Sequence, residues 1–383
     1  MKIAYVFTRG RRERLAQIEA GESAPSEFAF GAPEARAMGH EVAVFELPDL
    51  APTAASPMQR WMKRDAKRLA ATGLTSSAAL MGEEAVLRLN DFDVVLAGNE
   101  YIALGLDGWA EAGVLRTPFC FWVMGMFSKL AQREPGGPLQ RWRRTRGLAR
   151  YHAMSRRARH IFFLGRPEMA LFVETFPELE PRCAFTPFPV DTGFWHLAET
   201  KETDGYLLFV GKDAHRDVDL LLAIARAMPE QRFRCVTPLL AGRLLPPNVE
   251  VIDSDWYGQA VTDREMRELY RRCRLLILPL RETHQPSGQS VAQQAMACGR
   301  VVVMSRISGL WLDELADGDQ LRLIDCPTPE AWRGVITRQL NDAEATAAIE
   351  RRAAAFVRQH LRTDLFARML LEPGGQRIAD NAL

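Results

Sequence analysis

Short apolar runs recur along this chain, separated by longer segments rich in helix formers. Residues 2–8 read as a first strand, with Ile3, Tyr5 and Phe7 alternating with Ala4 and Val6. A polar loop is expected through 9–26, then a helix over 33–38 with Pro33 in its first turn and Gly39 past its end. Strands follow at 41–45, 93–96, 118–124, 160–164 and 183–187, with helices between them at 58–71, 82–90, 101–112, 138–157 and 166–175. A domain boundary is expected near 187–201, and after a polar, linker-like stretch at 198–204 the pattern starts afresh. Strands are expected at 206–210, 232–236, 249–252, 275–280, 301–304 and 320–324. Helices are expected at 218–228, at 262–273 with Thr262 as N-cap, at 290–297, at 309–315, as a pair within 328–360, and at 361–371. Strands alternating with helices predict an α/β protein with open parallel sheets, and the restart predicts two domains.

Residues 273–304 organise the second half. An apolar run, a polar loop with Pro286, Ser287 and Gly288, a helical segment ended by Gly299 and a second apolar run make one crossover unit of a parallel sheet. Ligands of such sheets sit outside the carboxyl ends of the strands, where this loop and the first helical turn lie. Free backbone N–H groups and the positive end of the helix dipole suit a phosphate there. Ser287, Gly288, Gln289 and Ser290 add small side chains and further donors. A second loop, 211–217, follows the strand at 206–210 and opens another helix. Beside Gly211 it carries Lys212 and Arg216, two cations suited to the charge that develops on a departing diphosphate. Each loop alone is also explained by a capped helix or a solvated turn. Two of them in one domain favour a shared anion site.

Ala295, Met296, Ala297, Cys298, Gly299 and the valines 301–303 resemble the donor-site motif of family 4 (group 1) glycosyltransferases of the GT-B fold. Gly39-His40-Glu41-Val42, the turn Val190-Asp191-Thr192, and Gly309-Leu310 with Asp313 and Glu314 resemble other segments of that family. The resemblance implies two Rossmann-like domains facing across a cleft. Residues 1–190 would take the acceptor, 203–360 would bind the nucleotide sugar, and 361–383 would hold a closing helix that crosses back to the first domain. It implies transfer of a sugar from a nucleotide-activated donor to a saccharide or lipid-linked acceptor, with retention, no cofactor and no metal. Lys212 and Arg216 match the family's two cations with identities swapped and one residue fewer between them.

Both glutamates of the family's Glu-x7-Glu spacing are replaced, the first by Pro286 and the second by Gln294. The second normally contacts the ribose, which gives Gln294 that role through its amide. The first touches the transferred sugar, a place left to His284 or Gln285. The His that many members carry after a first-domain strand gives way to Met124-Gly125-Met126. Asn99 and Glu100 are then the nearest polar pair, and a loop cap explains both. These departures favour an alternative: a non-catalytic GT-B protein that binds a sugar nucleotide or a partner transferase. A GT-B epimerase would need acids in the cleft that the sequence does not place.

Composition adds limits. The 383 residues suffice for two domains, and a net charge of +1 selects no acidic partner. One segment departs from that balance. Residues 129–159 hold Lys129 and nine arginines against Glu134 alone, interleaved with Trp142, Leu148, Tyr151 and Met154. Such a surface suits anionic lipid head groups, or is a solvated helix face. No nucleic-acid-binding module is recognisable. The six cysteines are scattered beside apolar runs and read as reduced core residues. Asp253 and Asp255 form an Asp-x-Asp pair after a strand; such a pair can hold a divalent cation, but nothing else marks that loop as the donor site and a polar turn explains it better. The first apolar run is too short for a signal-peptide core, and none approaches the roughly 18 residues of a membrane span. A cytoplasmic protein is expected, peripheral at most at the inner face of a membrane.

Overall fold

The computed structural model describes residues 1–53, 57–132, 136–198, 202–252 and 261–372. The chain divides into two units. Met1–Gly21, Phe28–Pro187 and the residues from Phe366 on form the first; Glu22–Glu27 and Phe188–Leu365 form the second.

The first unit holds strands β1 (Lys2–Phe7), β2 (Glu41–Glu46), β3 (Val94–Ala97), β4 (Phe119–Val123), β5 (Ile161–Phe163) and β6 (Cys183–Phe185). Their order is β2-β1-β3-β4-β5-β6, and every pairing is parallel. Strands β3 and β4 are buried along their whole length, so they read as unbroken apolar runs and not as alternations. An aromatic cluster of Phe127, Tyr151 and Phe172 fills the space beside β4, with ring centroids 5.0–6.3 Å apart.

The second unit repeats the plan with β7 (Tyr206–Val210), β8 (Arg232–Val236), β9 (Val249–Ile252), β10 (Leu275–Leu278), β11 (Val302–Ser305) and β12 (Arg322–Ile324). The order is β12-β11-β10-β7-β8-β9, again all parallel. Leu207, Phe209, Ile277 and Val303 of this sheet share a core with Leu221 and Ile224 of the helix Val218–Ala227 and with Trp332 and Ile336 of the helix Pro329–Asn341. From β7 the chain winds outward through β8 and β9. It then returns to the other side of β7 and winds outward through β10, β11 and β12. The direction of winding therefore reverses between β7 and β10, the place where open α/β sheets take their ligands.

Three segments differ from the elements expected of them. Residues 9–26 are not all loop, because Arg11–Glu19 is helical. Only Leu15 of that helix is buried, so no apolar stripe marks it in the sequence. The helix Met126–Ala131 was not expected. Its first turn is held by a carboxylate from a distant residue, Glu100, which accepts from the Met126 and Phe127 N–H groups. Residues 309–315 form turns and no helix, with Trp311 and Leu312 fully buried. Between the two units the chain passes from Pro187 to Phe188. Val190 pairs with Arg362 in an isolated parallel bridge, and its N–H donates to the Leu361 carbonyl at 2.6 Å, which ties this turn into the second unit. In the last helix, Thr363–Leu371, the residues from Phe366 group with the first unit. There the Phe366 ring stacks on Trp122 at 6.1 Å.

Candidate functional site

The two sequence-predicted loops lie side by side at the carboxyl ends of β7 and β10. Arg216 and Leu280 form an antiparallel bridge. The Asp217 N–H donates to the Pro279 carbonyl at 2.9 Å, and the Arg281 N–H to the His215 carbonyl at 2.8 Å. Ser305, at the end of β11, accepts from the Leu280 N–H at 2.9 Å and fixes the same loop from the other side.

Arg216 is the tie between them. It is 4% exposed, and its Nε donates to the Val210 carbonyl at 3.1 Å. Its Nη1 donates to Ser287 Oγ at 3.0 Å and pairs with Asp213 Oδ2 at 2.8 Å. The Ser287 hydroxyl in turn donates to Asp213 Oδ1 at 2.7 Å. Burial pulls the guanidinium below its usual value and the Asp213 charge opposes that, so the cation is kept. Arg216 and Ser287 were expected as phosphate contacts. In the structure they hold the two loops together, with Asp213 as the third member of the cluster. Gly211 is forced by the same cluster: its φ is +141°, and a Cβ there would lie 2.1 Å from Arg216 Nε. Lys212 is exposed.

Gly288, with φ +82°, opens the helix Gln289–Ala297, and no side chain caps its first turn. The positive end of this helix therefore stands next to the Arg216–Ser287–Asp213 cluster. Gln289 is buried and Ser290 half-buried. His284, Gln285 and Pro286 are half-buried in the preceding loop. Gly309 is pressed against that loop, since a Cβ on it would lie 2.3 Å from the Gln285 carbonyl oxygen.

Gln294, one turn further along, is 5% exposed, and both ends of its amide are engaged. Its Oε1 accepts from the Tyr270 hydroxyl at 3.3 Å, and its Nε2 donates to Glu27 Oε1 at 2.9 Å. The same Glu27 oxygen accepts from Trp195 Nε1 at 2.6 Å. Glu27 is fully buried, and burial lifts its carboxyl to about 7 against the hydrogen bonds from its own backbone N–H, Trp195 and Gln294 that lower it. No local sequence signal links Glu27 to Gln294, because 267 positions separate them.

Elsewhere the candidate residues act as structural parts. Asn99 caps the helix Glu100–Glu111 by accepting from the Ile102 N–H at 3.0 Å. Glu100 is buried and accepts from the N–H groups of Met124, Met126 and Phe127 and from the Tyr151 hydroxyl. Glu168, which accepts from the Ser128 hydroxyl, is pushed up to about 8 by burial and then by the Glu100 charge. In the basic segment, Arg150 and Arg157 straddle the buried Asp107, and Arg144 donates to the Leu130 and Ala131 carbonyls. Arg141, Arg143 and Arg146 of the helix Pro138–Arg157 remain exposed with Leu139 and Trp142. Asp253 and Asp255 lie outside the described residues. Among the described residues no three His, Cys, Asp or Glu side chains are grouped to hold a metal ion, and no helix is long and apolar enough to cross a membrane.

Residues 204–342 match the family described as glycosyl transferases group 1. No curated protein matches the chain by sequence. Among solved structures, the chain is similar to HepE from Anabaena in complex with UDP-glucose, at TM-score 0.65 and 14% identity over 97% of this chain and 99% of that one. It is also similar to sucrose-phosphate synthase from Thermosynechococcus elongatus, at TM-score 0.67 and 13% identity over 97% of each chain. A glycosyltransferase from Rickettsia africae follows at TM-score 0.59 and 11% identity, again over 97% of each chain. The two parallel six-stranded sheets are those of the GT-B fold, and the match to the group 1 glycosyltransferase family falls within the second unit.

Proposed function

We propose that this chain, a glycosyltransferase by its second unit, moves a sugar from a nucleoside-diphosphate donor to a saccharide or lipid-linked acceptor with retention. The observation that carries the reading is the tied pair of loops at the reversal point between β7 and β10, inside the segment that matches the family. The diphosphate sits against the loop that follows Gly211 and the open first turn at Gly288, Gln289 and Ser290. Lys212 and the helix dipole meet the charge that develops as the diphosphate leaves. Arg216 and Ser287 keep both loops in register for that contact. Gln294 faces the ribose, and His284 and Gln285 lie beside the transferred sugar. Retention needs no strong protein base, because the leaving phosphate takes the acceptor proton. HepE was solved with UDP and with UDP-glucose, which makes UDP the first nucleotide to test. Exposed Arg141, Arg143, Arg146, Leu139 and Trp142 supply a surface for anionic lipid at the inner face of a membrane, where a lipid-linked acceptor for polysaccharide synthesis would lie.

The test is a thermal-shift screen of the chain against nucleoside diphosphates and sugar nucleotides, repeated on Lys212→Ala. A ligand bound by the folded state alone raises the melting temperature, by about 2.7 kcal/mol of stabilisation at a hundredfold excess over Kd. The expected result is one nucleotide that shifts the transition, with the shift reduced in the variant. No shift with any nucleotide sinks the reading. The internal engagement of Gln294 favours the second reading, a binding protein without turnover. Release of nucleoside diphosphate from the matching sugar nucleotide, with acceptor present, separates the two.

A further inference from the structure

Glu27 reaches the second unit on residues 22–27, which are held there by Asp191. The Asp191 Oδ2 accepts from the Ser26 N–H at 3.0 Å, and its Oδ1 accepts from the Gly193 and Phe194 N–H groups. Glu27 Oε1 gathers two donors, Trp195 Nε1 and Gln294 Nε2, while Oε2 is buried with no partner. Tyr270 closes the other end of Gln294 through Oε1. The amide therefore has one orientation. Turned over, it would set its oxygen against the carboxylate and its nitrogen against the Tyr270 hydroxyl. In the observed orientation one Nε2 hydrogen is left, and the carboxylate behind the amide strengthens it as a donor.

We propose that Glu27 is a positioning residue of the donor site, fixing the Gln294 amide so that it presents an N–H to a ribose hydroxyl oxygen of a nucleoside diphosphate. This rests on the donor-site reading above. A glutamate at position 294 would accept a hydrogen bond from the ribose. The Glu27–Gln294 pair reverses the polarity, with Gln294 donating. The groups facing the Glu27 carboxyl are Trp195, Gln294, Tyr270 and Asp191, and the Asp191 charge adds to burial in raising it. Burial keeps Tyr270 neutral. As the pH falls through about 7, Glu27 takes a proton and the charge behind the amide is lost.

Calorimetric titration of the full chain with UDP, GDP and ADP, and with the 2′-deoxy form of the best binder, tests this across the range about one and a half pH units either side of neutrality. The natural chain should prefer the ribose form and bind more weakly on the acid side of neutrality. Glu27→Gln should bind on the order of tenfold more weakly on the alkaline side, the worth of one charge-assisted hydrogen bond. It should also lose the step near neutrality and most of the ribose preference, while melting no lower than the natural chain. The ligand's own phosphate titration is common to both proteins and cancels. Unchanged affinity, ribose preference and pH profile in Glu27→Gln, with binding weakened in Lys212→Ala, overturn the proposal and leave the donor site standing. If Glu27→Gln does not fold, Glu27→Asp decides. It keeps the charge but falls short of Gln294, so unchanged binding overturns the proposal there too. A natural chain that binds no diphosphate at any pH overturns the donor-site reading and this proposal with it.

Discussion

Arg216 and Lys212 stand four positions apart, the first buried and the second exposed. Arg216 is spent on Val210, Asp213 and Ser287. Its removal strands the Asp213 carboxylate and the Ser287 hydroxyl and unties the two loops. Arg216→Ala should cost about 3 kcal/mol, the low end for breaking a buried pair because Asp213 keeps part of its exposure. A denaturant titration reads this. Lys212→Ala should leave the denaturation midpoint where it was and weaken only diphosphate binding, since Lys212 is exposed. Equal losses of stability in both would show that Lys212 is structural too. Residue type and spacing identify the cations but not this division of labour. The difference lies in burial, and burial here is made by Ser287, which is 71 positions away from Arg216 in the chain.

At the scale of elements, the two loops act through backbone conformations that other residues resist. Gly211→Ala should both destabilise the chain and abolish nucleotide-induced stabilisation, because the new methyl group displaces the Arg216 guanidinium. A variant that still responds to nucleotide in a thermal shift would show that the loop tolerates a different path. The elements themselves were legible where the signal is local. The strand at 206–210 and the helices at 138–157 and 166–175 fall where apolar pattern and Pro or Gly punctuation place them. Thr262 begins its helix with the reciprocal Glu265 contact that an acidic residue three positions on announces. Legibility fails where the cause is non-local. The helix Met126–Ala131 depends on Glu100, and the turns at 309–315 press Gly309 against the Gln285 carbonyl and bury Trp311. The loops that make the candidate site could be read from sequence, whereas the acid that sets Gln294 could not.

For the molecule as a whole, two buried carboxyls set a pH dependence. Glu27 goes from 4.5 to about 7 and Glu168 from 4.5 to about 8. Each binds its proton more tightly folded than unfolded. Its contribution is fully present below 4.5 and is lost as the pH rises through its folded value. Shifts of this size correspond to about 3 kcal/mol for Glu27 and about 5 kcal/mol for Glu168. Melting temperature should therefore fall between mildly acid and mildly alkaline buffer, and Glu168→Gln should flatten part of that fall. A chain equally stable on both sides of neutrality would contradict the assignment of either carboxyl as neutral when folded. The division of the chain has a consequence for modularity. Residues 22–27 are enclosed by the first unit in sequence but belong to the second, so the sequence passes from one unit to the other and back before β2 begins. A graft cut at Pro187 and Phe188, the obvious seam for exchanging second units between relatives, would carry Trp195, Tyr270 and Gln294 and leave Glu27 behind. The recipient would receive a Gln294 amide and an indole N–H in an apolar setting with no acceptor. Such a chimera becomes interchangeable only when the six-residue insert Glu22–Glu27 travels with the transplanted domain.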